Sequence, residues 1–352
     1  MSRPQDIYLT RCPVGNATEI AVQKGWLAES FRHQGVGLKL LQELPVEQWS
    51  THFTHQHPAF FRDGGNIPPI WARSRGTDTL VIGLNFNERR GGILVARDAS
   101  YRSLAELRGK RFGLPVREHE PIDFWRATTL KAFLSALQRF GLGERDVEIV
   151  RLPVEDPYIA RTREDAYWDS VFLQKRAKSF QRNEVSALEE GTVDAIYATG
   201  AWGERAVIDG VGRYLYDFLA DSAADRTNIE HPSTITVSGE LARSNPELVV
   251  DFLRVLIRSS HWAREHYEET VAIYAKGSWL DDTEAERRAR PAHFHLNLLP
   301  QLSEAAVRAL DAEKEFLLGH GFIPNDFNVR QWVDASFLEA ALKAEQALAD
   351  AA

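Results

Sequence analysis

The sequence predicts an α/β protein of two lobes, wrapped by helices at its carboxyl end. Short apolar runs alternate with amphipathic stretches over roughly the first 200 residues, which is the α/β pattern. From Pro246 onward the periodicity is mostly helical. The length of 352 residues is enough for two domains, and 44% hydrophobic with 26% charged residues is an ordinary globular composition. Disordered, collagenous and coiled-coil classes are therefore excluded.

The predicted strands are short apolar runs between polar or glycine-containing segments. They cover residues 7–9, 38–44, 79–84, 92–96, 110–114, 147–152 and 193–198. The predicted helices have apolar residues at helical spacing, and several end at a glycine. They cover residues 14–27, 103–107, 124–140, 184–190, 246–265, 267–276, 284–289, 302–319 and 334–349. The segment 153–182 is rich in charged and aromatic residues with poor periodicity, and we interpret it as a candidate lid.

The charge balance limits the classes of partner. The chain has 42 Lys and Arg against 50 Asp and Glu, a formal charge of −8. Nucleic acids and anionic membranes reward clustered basic residues, so we expect neither as a partner. No stretch approaches the ~20 apolar residues that span a bilayer, and the amino terminus lacks the apolar run of a secretory signal. We expect a soluble, cytoplasmic monomer.

The chain has a single cysteine, Cys12, so an internal disulfide scaffold is excluded. Cys12 follows the first predicted strand and precedes Pro13, a residue favoured in the first turn of a helix. A thiol at a helix amino terminus has its pKa lowered by the helix dipole, which would make Cys12 reactive. The alternative is that Cys12 is a small buried apolar residue.

The densest cluster of chemically competent residues is HFTHQHPAFFRDGGNIPP, at 52–69. Histidine can exchange a proton near neutral pH, and the guanidinium of Arg62 suits a carboxylate-like or sulfinate anion. The Gly64-Gly65 pair allows close backbone approach and can direct N–H groups at an anion. With Cys12, this segment could supply a base and an oxyanion clamp. Each feature alone is also common at an ordinary surface.

A metal site is a rival interpretation of the same segment. His52, His55 and His57 are side chains of a type that binds zinc, and His-x-His is a familiar ligand pair on a strand. The pair His293 and His295 could contribute if the fold brought it close. A dinucleotide-binding glycine fingerprint, a phosphate loop and a Gly-x-Ser-x-Gly elbow are all missing.

Three further segments resemble the solute-binding proteins of the nitrate, sulfonate and taurine class. They are ILVARDASYRSLAELRGKRFGL at 93–114, LEEGTVDAIYA at 188–198 and NPELVVDFLRVLIRSSHWAREHYEETVAIYAK at 245–276. The resemblance implies a two-lobed fold of the periplasmic-binding-protein type (type II), with the ligand cleft between lobes. The first lobe would comprise 1–95 and 200–352, and the second 96–199.

The pattern around Cys12 and 52–69 is more specific, and it resembles the aromatic sulfinate desulfinases of dibenzothiophene desulfurisation. That family has a Cys-Pro near the amino terminus, then His-Phe-Thr, an Arg ten residues after the His, Gly-Gly and Ile-Pro-Pro. All of these are present here, and the resemblance spans roughly residues 7–340. It implies an enzyme on the solute-binding fold that needs no cofactor.

Residue by residue, the resemblance implies that Cys12, His52 and Arg62 form the catalytic group. It further implies a set of substrate-binding residues, comprising Gly64, Gly65, Phe53, Trp125, Thr10 and His57. Thr10 stands where the best-known member of the family has serine, and His57 where it has glutamine near the substrate's phenol. These two departures put the identity of the substrate in doubt more than the chemistry.

The expected reaction is hydrolytic desulfination of a hydroxybiphenyl sulfinate, or a related aryl sulfinate, to the arene and sulfite. Cys12 could attack sulfur as a thiolate, or it could protonate the ring carbon as a thiol. One alternative is a sulfonate- or anion-binding protein without turnover. The other is a metal-dependent hydrolase that uses His52, His55 and His57.

Overall fold

The computed structural model describes residues 3–10, 12, 14–86, 88–159, 181–221, 232–278 and 280–351. Pro13 and most of the candidate lid at 153–182 lie outside the described residues. The strands are β1 (Asp6–Thr10), β2 (Gly37–Leu40), β3 (Phe60–Gly64), β4 (Thr79–Asn85), β5 (Gly91–Ala96), β6 (Arg111–Val116), β7 (Glu148–Pro153), β8 (Ala195–Thr199), β9 (Gly212–Asp217) and β10 (Ser233–Ser238).

The helices before the carboxyl-terminal group are α1 (Ala17–Gln23), α2 (Trp26–His33), α3 (Thr51–Thr54), α4 (Ile67–Ser74), α5 (Phe124–Arg139), α6 (Arg182–Glu189) and α7 (Gly200–Ile208). The later ones are α8 (Gly239–Ser244), α9 (Pro246–Glu265), α10 (Tyr267–Gly277), α11 (Thr283–Ala289), α12 (Glu304–Gly319), α13 (Val329–Trp332) and α14 (Ser336–Asp350). Short 3₁₀ turns cover Leu41–Glu43, Val46–Gln48, Leu104–Leu107, Glu144–Asp146, Phe218–Ala220 and Phe294–Leu296. None of the helices in these ranges is long and apolar enough to cross a membrane.

The strands form two mixed sheets of five. The first sheet has the order β2-β1-β3-β10-β4, with β1 parallel to β2 and β3, and β10 antiparallel to both of its neighbours. The second sheet has the order β7-β6-β8-β5-β9, with β6 parallel to β7 and β8, and β5 antiparallel to β8 and β9. Because β1 and β3 are parallel, their carboxyl ends meet at one edge, where ligands bind in such sheets.

Strand pairing shows which sheet the segments near residues 95 and 200 join. β5 pairs with β8 and β9, so residues 91–95 belong to the second sheet. β9 lies in the same sheet, so the chain returns to the first sheet only after residue 217. An apolar run predicts that a strand exists but not which strands will flank it, so sheet membership follows only from the fold.

The predicted helix 14–27 is two helices, and it begins later than expected. Asn16 caps α1, because its side chain accepts a hydrogen bond of 2.9 Å from the Glu19 backbone N–H. Gly25, with a φ of 76°, then turns the chain before α2 begins. Cys12 is therefore upstream of the helix and not at its first turn.

The packing of β3 decides which of its side chains face the cleft. The ring of Phe61 stacks on Phe252 of α9, with ring centroids 4.2 Å apart and an interplanar angle of 7°. Asp63 lies on the same face and accepts a 2.6 Å hydrogen bond from Thr18 of α1. Side chains alternate along a strand, so Arg62 points to the opposite face.

Two sets of ion pairs join the carboxyl-terminal helices to elements of the second sheet. The fully buried carboxylate of Glu313, in α12, pairs with Lys131 of α5. The fully buried carboxylate of Glu204, in α7, pairs with Arg90 at 2.9 Å and with Arg288 of α11 at 3.1 Å. These contacts fix the second sheet against the helices that wrap the first.

Candidate active site

A cleft with a volume of about 160 Å³ lies between the two sheets. That is close to the ~150 Å³ of an engineered cavity that holds benzene, so there is room for at least one aromatic ring. From the first sheet the described lining includes Cys12, His52, Arg62 and Gly65. From the second sheet it includes Phe124, Trp125, Tyr158, Glu184 and Arg117. Val154, Asp156, Pro157 and Gln181, from the described parts of the candidate lid, also line the cleft.

Cys12 directly follows the edge of β1 and lies against Gly64 at the end of β3. A Cβ atom placed on Gly64 would be only 2.6 Å from both Cβ and Sγ of Cys12, so this position excludes any side chain. The Gly65 backbone N–H donates a hydrogen bond to the sulfur. The carboxyl end of β3 thus supplies both the space for the thiol and a hydrogen-bond donor to it.

The helix dipole does not activate Cys12 as expected. Its pKa is raised from the ordinary value, chiefly because burial disfavours the thiolate, although Arg62, the Gly65 N–H and Arg89 oppose this. Helix α1 begins only at Ala17, so its amino terminus is not adjacent to the thiol. The resting group is therefore the neutral thiol.

Arg62 is a buried cation with unused hydrogen-bonding capacity. Its side chain is 1% exposed, and Nη1 donates to the Gly65 carbonyl at 2.7 Å. Nε has no hydrogen-bond partner among the described residues, and the neighbouring Asp63 acts on the guanidinium through its charge. A buried charge is normally paired, so this guanidinium is well suited to an anionic ligand.

His52 is held as a neutral imidazole. It lies in α3, and its Nδ1 is 2.6 Å from the hydroxyl oxygen of Thr10, the last residue of β1. Its pKa is held well below the ordinary value by burial, and further by the charges of Arg62 and His55. Thr10 positions the ring from behind and is not among the described residues that line the cleft.

The other two histidines of the segment line a different surface groove from the cleft that His52 lines. His55 ends α3 in a left-handed conformation, with its Nδ1 2.9 Å from the Phe53 carbonyl. His57 lies in that groove, just before the turn at Pro58, with its ring 4.4 Å from that of Tyr8. The described ranges contain no group of three or more residues arranged to hold a metal ion.

The aromatic end of the cleft is built mainly from helices on the side of the second sheet. Trp125 is fully buried, and its Nε1 donates to Glu184 at 2.7 Å. Phe53 does not line the cleft; it supports it from behind, with its ring 5.0 Å from His52 and 6.2 Å from Phe124. Burial raises the pKa of Glu184, despite the Trp125 hydrogen bond.

Several lining residues were missed by sequence reasoning. Arg89 stands beside the first crossing, and its charge acts on Cys12. Asn66 is fully buried next to Gly65. The pair of adjacent arginines before Gly91 was a visible signal for Arg89, whereas the nearness of Glu184 to Trp125 depends on tertiary contacts alone.

Comparisons with known proteins identify the relatives of this arrangement. No family model matches the chain. The 2'-hydroxybiphenyl-2-sulfinate desulfinase of Rhodococcus erythropolis is 28% identical, over 95% of this chain and 92% of the relative. The crystal structure of the desulfurization enzyme DszB is 25% identical, with a TM-score of 0.79, covering 97% of this chain and 99% of the other.

A cysteine-to-serine mutant of DszB in complex with biphenyl-2-sulfinic acid matches equally well, with a TM-score of 0.79 and coverage of 97% and 100%. The periplasmic aliphatic sulphonate-binding protein SsuA of Escherichia coli has the same fold at 16% identity, with a TM-score of 0.66 and coverage of 94% and 92%. The predicted fold class is confirmed. The chain is thus homologous to the aromatic sulfinate desulfinases and has a fold of the solute-binding-protein type.

Proposed function

We propose that the protein is an aryl sulfinate desulfinase, which hydrolyses the C–S bond and releases an arene and sulfite. The observation that carries this is the meeting of Cys12, His52, Arg62 and Gly65 at one end of an aromatic cleft. The relatives support it, because the 28%-identical relative is named as a 2'-hydroxybiphenyl-2-sulfinate desulfinase and the similar DszB structure holds biphenyl-2-sulfinic acid.

The sulfinate group is held by hydrogen-bond donors at the carboxyl end of β3. Arg62 provides Nε–H, which lacks a partner within the described part of the chain, and the Gly65 backbone N–H, which donates to the Cys12 sulfur, keeps the thiol beside it. A Cβ placed on Gly65 would meet nothing within 4 Å, so the space in front of this residue is open to a ligand. The aryl group extends toward Trp125 and Phe124.

Cys12 acts as the proton donor. Its raised pKa keeps the thiol protonated, and a bound sulfinate raises that pKa further because it offsets the charge of Arg62. The thiol proton goes to the ring carbon that bears sulfur, the C–S bond breaks with its electrons going to the ring, and SO₂ leaves. Water adds to SO₂ to give HSO₃⁻ and a proton, which returns to the thiolate. The net reaction is ArSO₂⁻ + H₂O → ArH + HSO₃⁻.

His52 assists as a neutral imidazole. Thr10 engages Nδ1, and the ring lines the cleft, where the charge of Arg62 acts on it. A neutral ring can receive the proton released when water adds to SO₂ and pass it back to the thiolate. This cycle consumes water alone.

The test is a sulfite assay over a panel of aryl sulfinates, including biphenyl-2-sulfinate with and without a 2'-hydroxyl group. We expect equal amounts of sulfite and arene from at least one of them. A protein that binds these sulfinates tightly and releases neither product would instead be a binding protein, the alternative that the fold of SsuA favours.

A cytoplasmic location and a monomeric state are part of the proposal. Cys12 must stay reduced to donate its proton, and the cytosol is the compartment that keeps thiols reduced. Cell fractionation tests the location. Light scattering of the purified protein tests the mass, which is 39.8 kDa for one chain.

A further inference from the structure

Asn66 occupies a position where asparagine normally caps a helix, but here that role is impossible. It is the residue before α4, and a capping side chain accepts a hydrogen bond from the second or third backbone N–H of the helix. In α4 those two residues are Pro68 and Pro69, which have no N–H. Accordingly, the Asn66 side chain makes no capping hydrogen bond.

The Asn66 amide is nevertheless completely buried. Its exposed fraction is 0%, and neither Nδ2 nor Oδ1 has a hydrogen-bond partner in the described ranges. Buried polar groups in folded proteins are nearly always hydrogen-bonded, so an amide with both ends unused requires an explanation. Asn66 lines the cleft, so a ligand bound there would provide the missing hydrogen-bond partner.

The neighbours of Asn66 indicate which ligand group it meets. The preceding residue, Gly65, donates its N–H to Cys12 and accepts from Arg62. Arg62 itself has an unpartnered Nε among the described residues. Because Pro68 and Pro69 remove two of the first backbone donors of α4, the side-chain amide of Asn66 is one of the donors left at this end of the helix.

We propose that Asn66 is a further substrate-binding residue, whose Nδ2–H donates to one oxygen of the sulfinate while Arg62 binds the other. This rests on the proposed function, since it assigns a sulfinate to the cleft. Oδ1 then accepts from the water that adds to SO₂. A charge-assisted hydrogen bond of this kind changes affinity about 10- to 100-fold.

The test measures binding without turnover, by titrating biphenyl-2-sulfinate into the Cys12→Ser protein. We expect Asn66→Ala in that background to bind about 10- to 100-fold more weakly. Asn66→Asp keeps an acceptor but loses the donor and adds a negative charge, so it should bind more weakly still. Asn85→Asp is the matched control, because Asn85 is also a buried amide but donates to the Leu298 carbonyl at 3.0 Å and does not line the cleft.

The assignment would be overturned if Asn66→Ala bound biphenyl-2-sulfinate within twofold of the affinity of its Cys12→Ser parent. Tight binding by Asn66→Asp would overturn it as well. If the variants do not fold, the parent protein labelled with ¹⁵N-asparagine gives the answer. The Asn66 side-chain amide signals should shift on adding biphenyl-2-sulfinate, and unchanged signals with saturated ligand would refute the role. If the Cys12→Ser protein did not bind biphenyl-2-sulfinate and the wild type released no sulfite, the proposed function would be overturned instead.

Discussion

The contact between Gly64 and Cys12 gives the sharpest quantitative prediction. In Gly64→Ala the new methyl group would stand 2.6 Å from Cβ and Sγ of Cys12, whereas ordinary contact begins near 3.4 Å. The thiol must therefore move by the difference, 3.4 − 2.6 = 0.8 Å, unless β3 moves instead. Misplacement of a reacting group by about 1 Å can cost about 100-fold in rate. We expect kcat to fall by about that factor.

Gly65→Ala is the matched control for this prediction. It adds the same methyl group one residue later, in open space with nothing within 4 Å, and neither glycine has a positive φ. The new methyl would project toward the ligand and leave the thiol in place. We therefore expect Gly65→Ala to raise KM, with a smaller effect on kcat than Gly64→Ala.

The assay for both variants is steady-state sulfite release from the best aryl sulfinate of the panel, with circular dichroism to confirm folding. Equal kcat values for Gly64→Ala and the wild type would refute the idea that close contact between β3 and the thiol sets the geometry. An equal loss of kcat in both variants would also contradict it.

Three further predictions concern groups around the site and between the sheets. Thr10→Val removes the hydroxyl that holds His52, so kcat should fall by about 10-fold with little change in KM, as steady-state kinetics would reveal. Burial raises the pKa of Asp63 to about 7, above its value of about 3.9 in the unfolded chain, so its ionisation costs stability as pH rises between these values. Asp63→Asn should therefore increase the free energy of unfolding at pH 8 by up to about 4 kcal/mol, which a higher melting temperature would reveal. The gain should vanish near pH 4, and an equal gain at both pH values would contradict the argument. Glu313→Gln leaves the ammonium of Lys131 without its anionic partner, so the free energy of unfolding measured in urea should fall by about 3 kcal/mol. A fall of less than about 1 kcal/mol would show that the ion pair is not needed for stability.

The sequence was sufficient to select side chains that the fold brings together, because their types and spacing form a recognisable pattern. Cys12, His52 and Arg62 could all be selected in this way, and the structure brings them to one cleft. Their environment was not predictable. The direction of the Cys12 pKa shift depends on burial and on where α1 begins, and both follow from tertiary packing.

The strands that carry the site were harder to predict than the helices. β3 was missed because Arg62 and Asp63 interrupt its apolar run, although both side chains are buried in the fold. His57 was expected to bind substrate, but it lines another groove, a placement that depends on the path of the chain between α3 and β3. Helix α9, by contrast, was predicted with its bounds at 246–265, since an amphipathic period over many residues is a strong signal.

The most direct test of the whole account is sulfite release by the Cys12→Ser protein compared with the wild type. Both should bind biphenyl-2-sulfinate, because Arg62 and Gly65 remain in place. The wild type should produce sulfite and biphenyl in equal amounts, and the variant should produce neither above the uncatalysed rate. Sulfite release by Cys12→Ser at the wild-type rate would contradict the central claim that this thiol performs the chemistry.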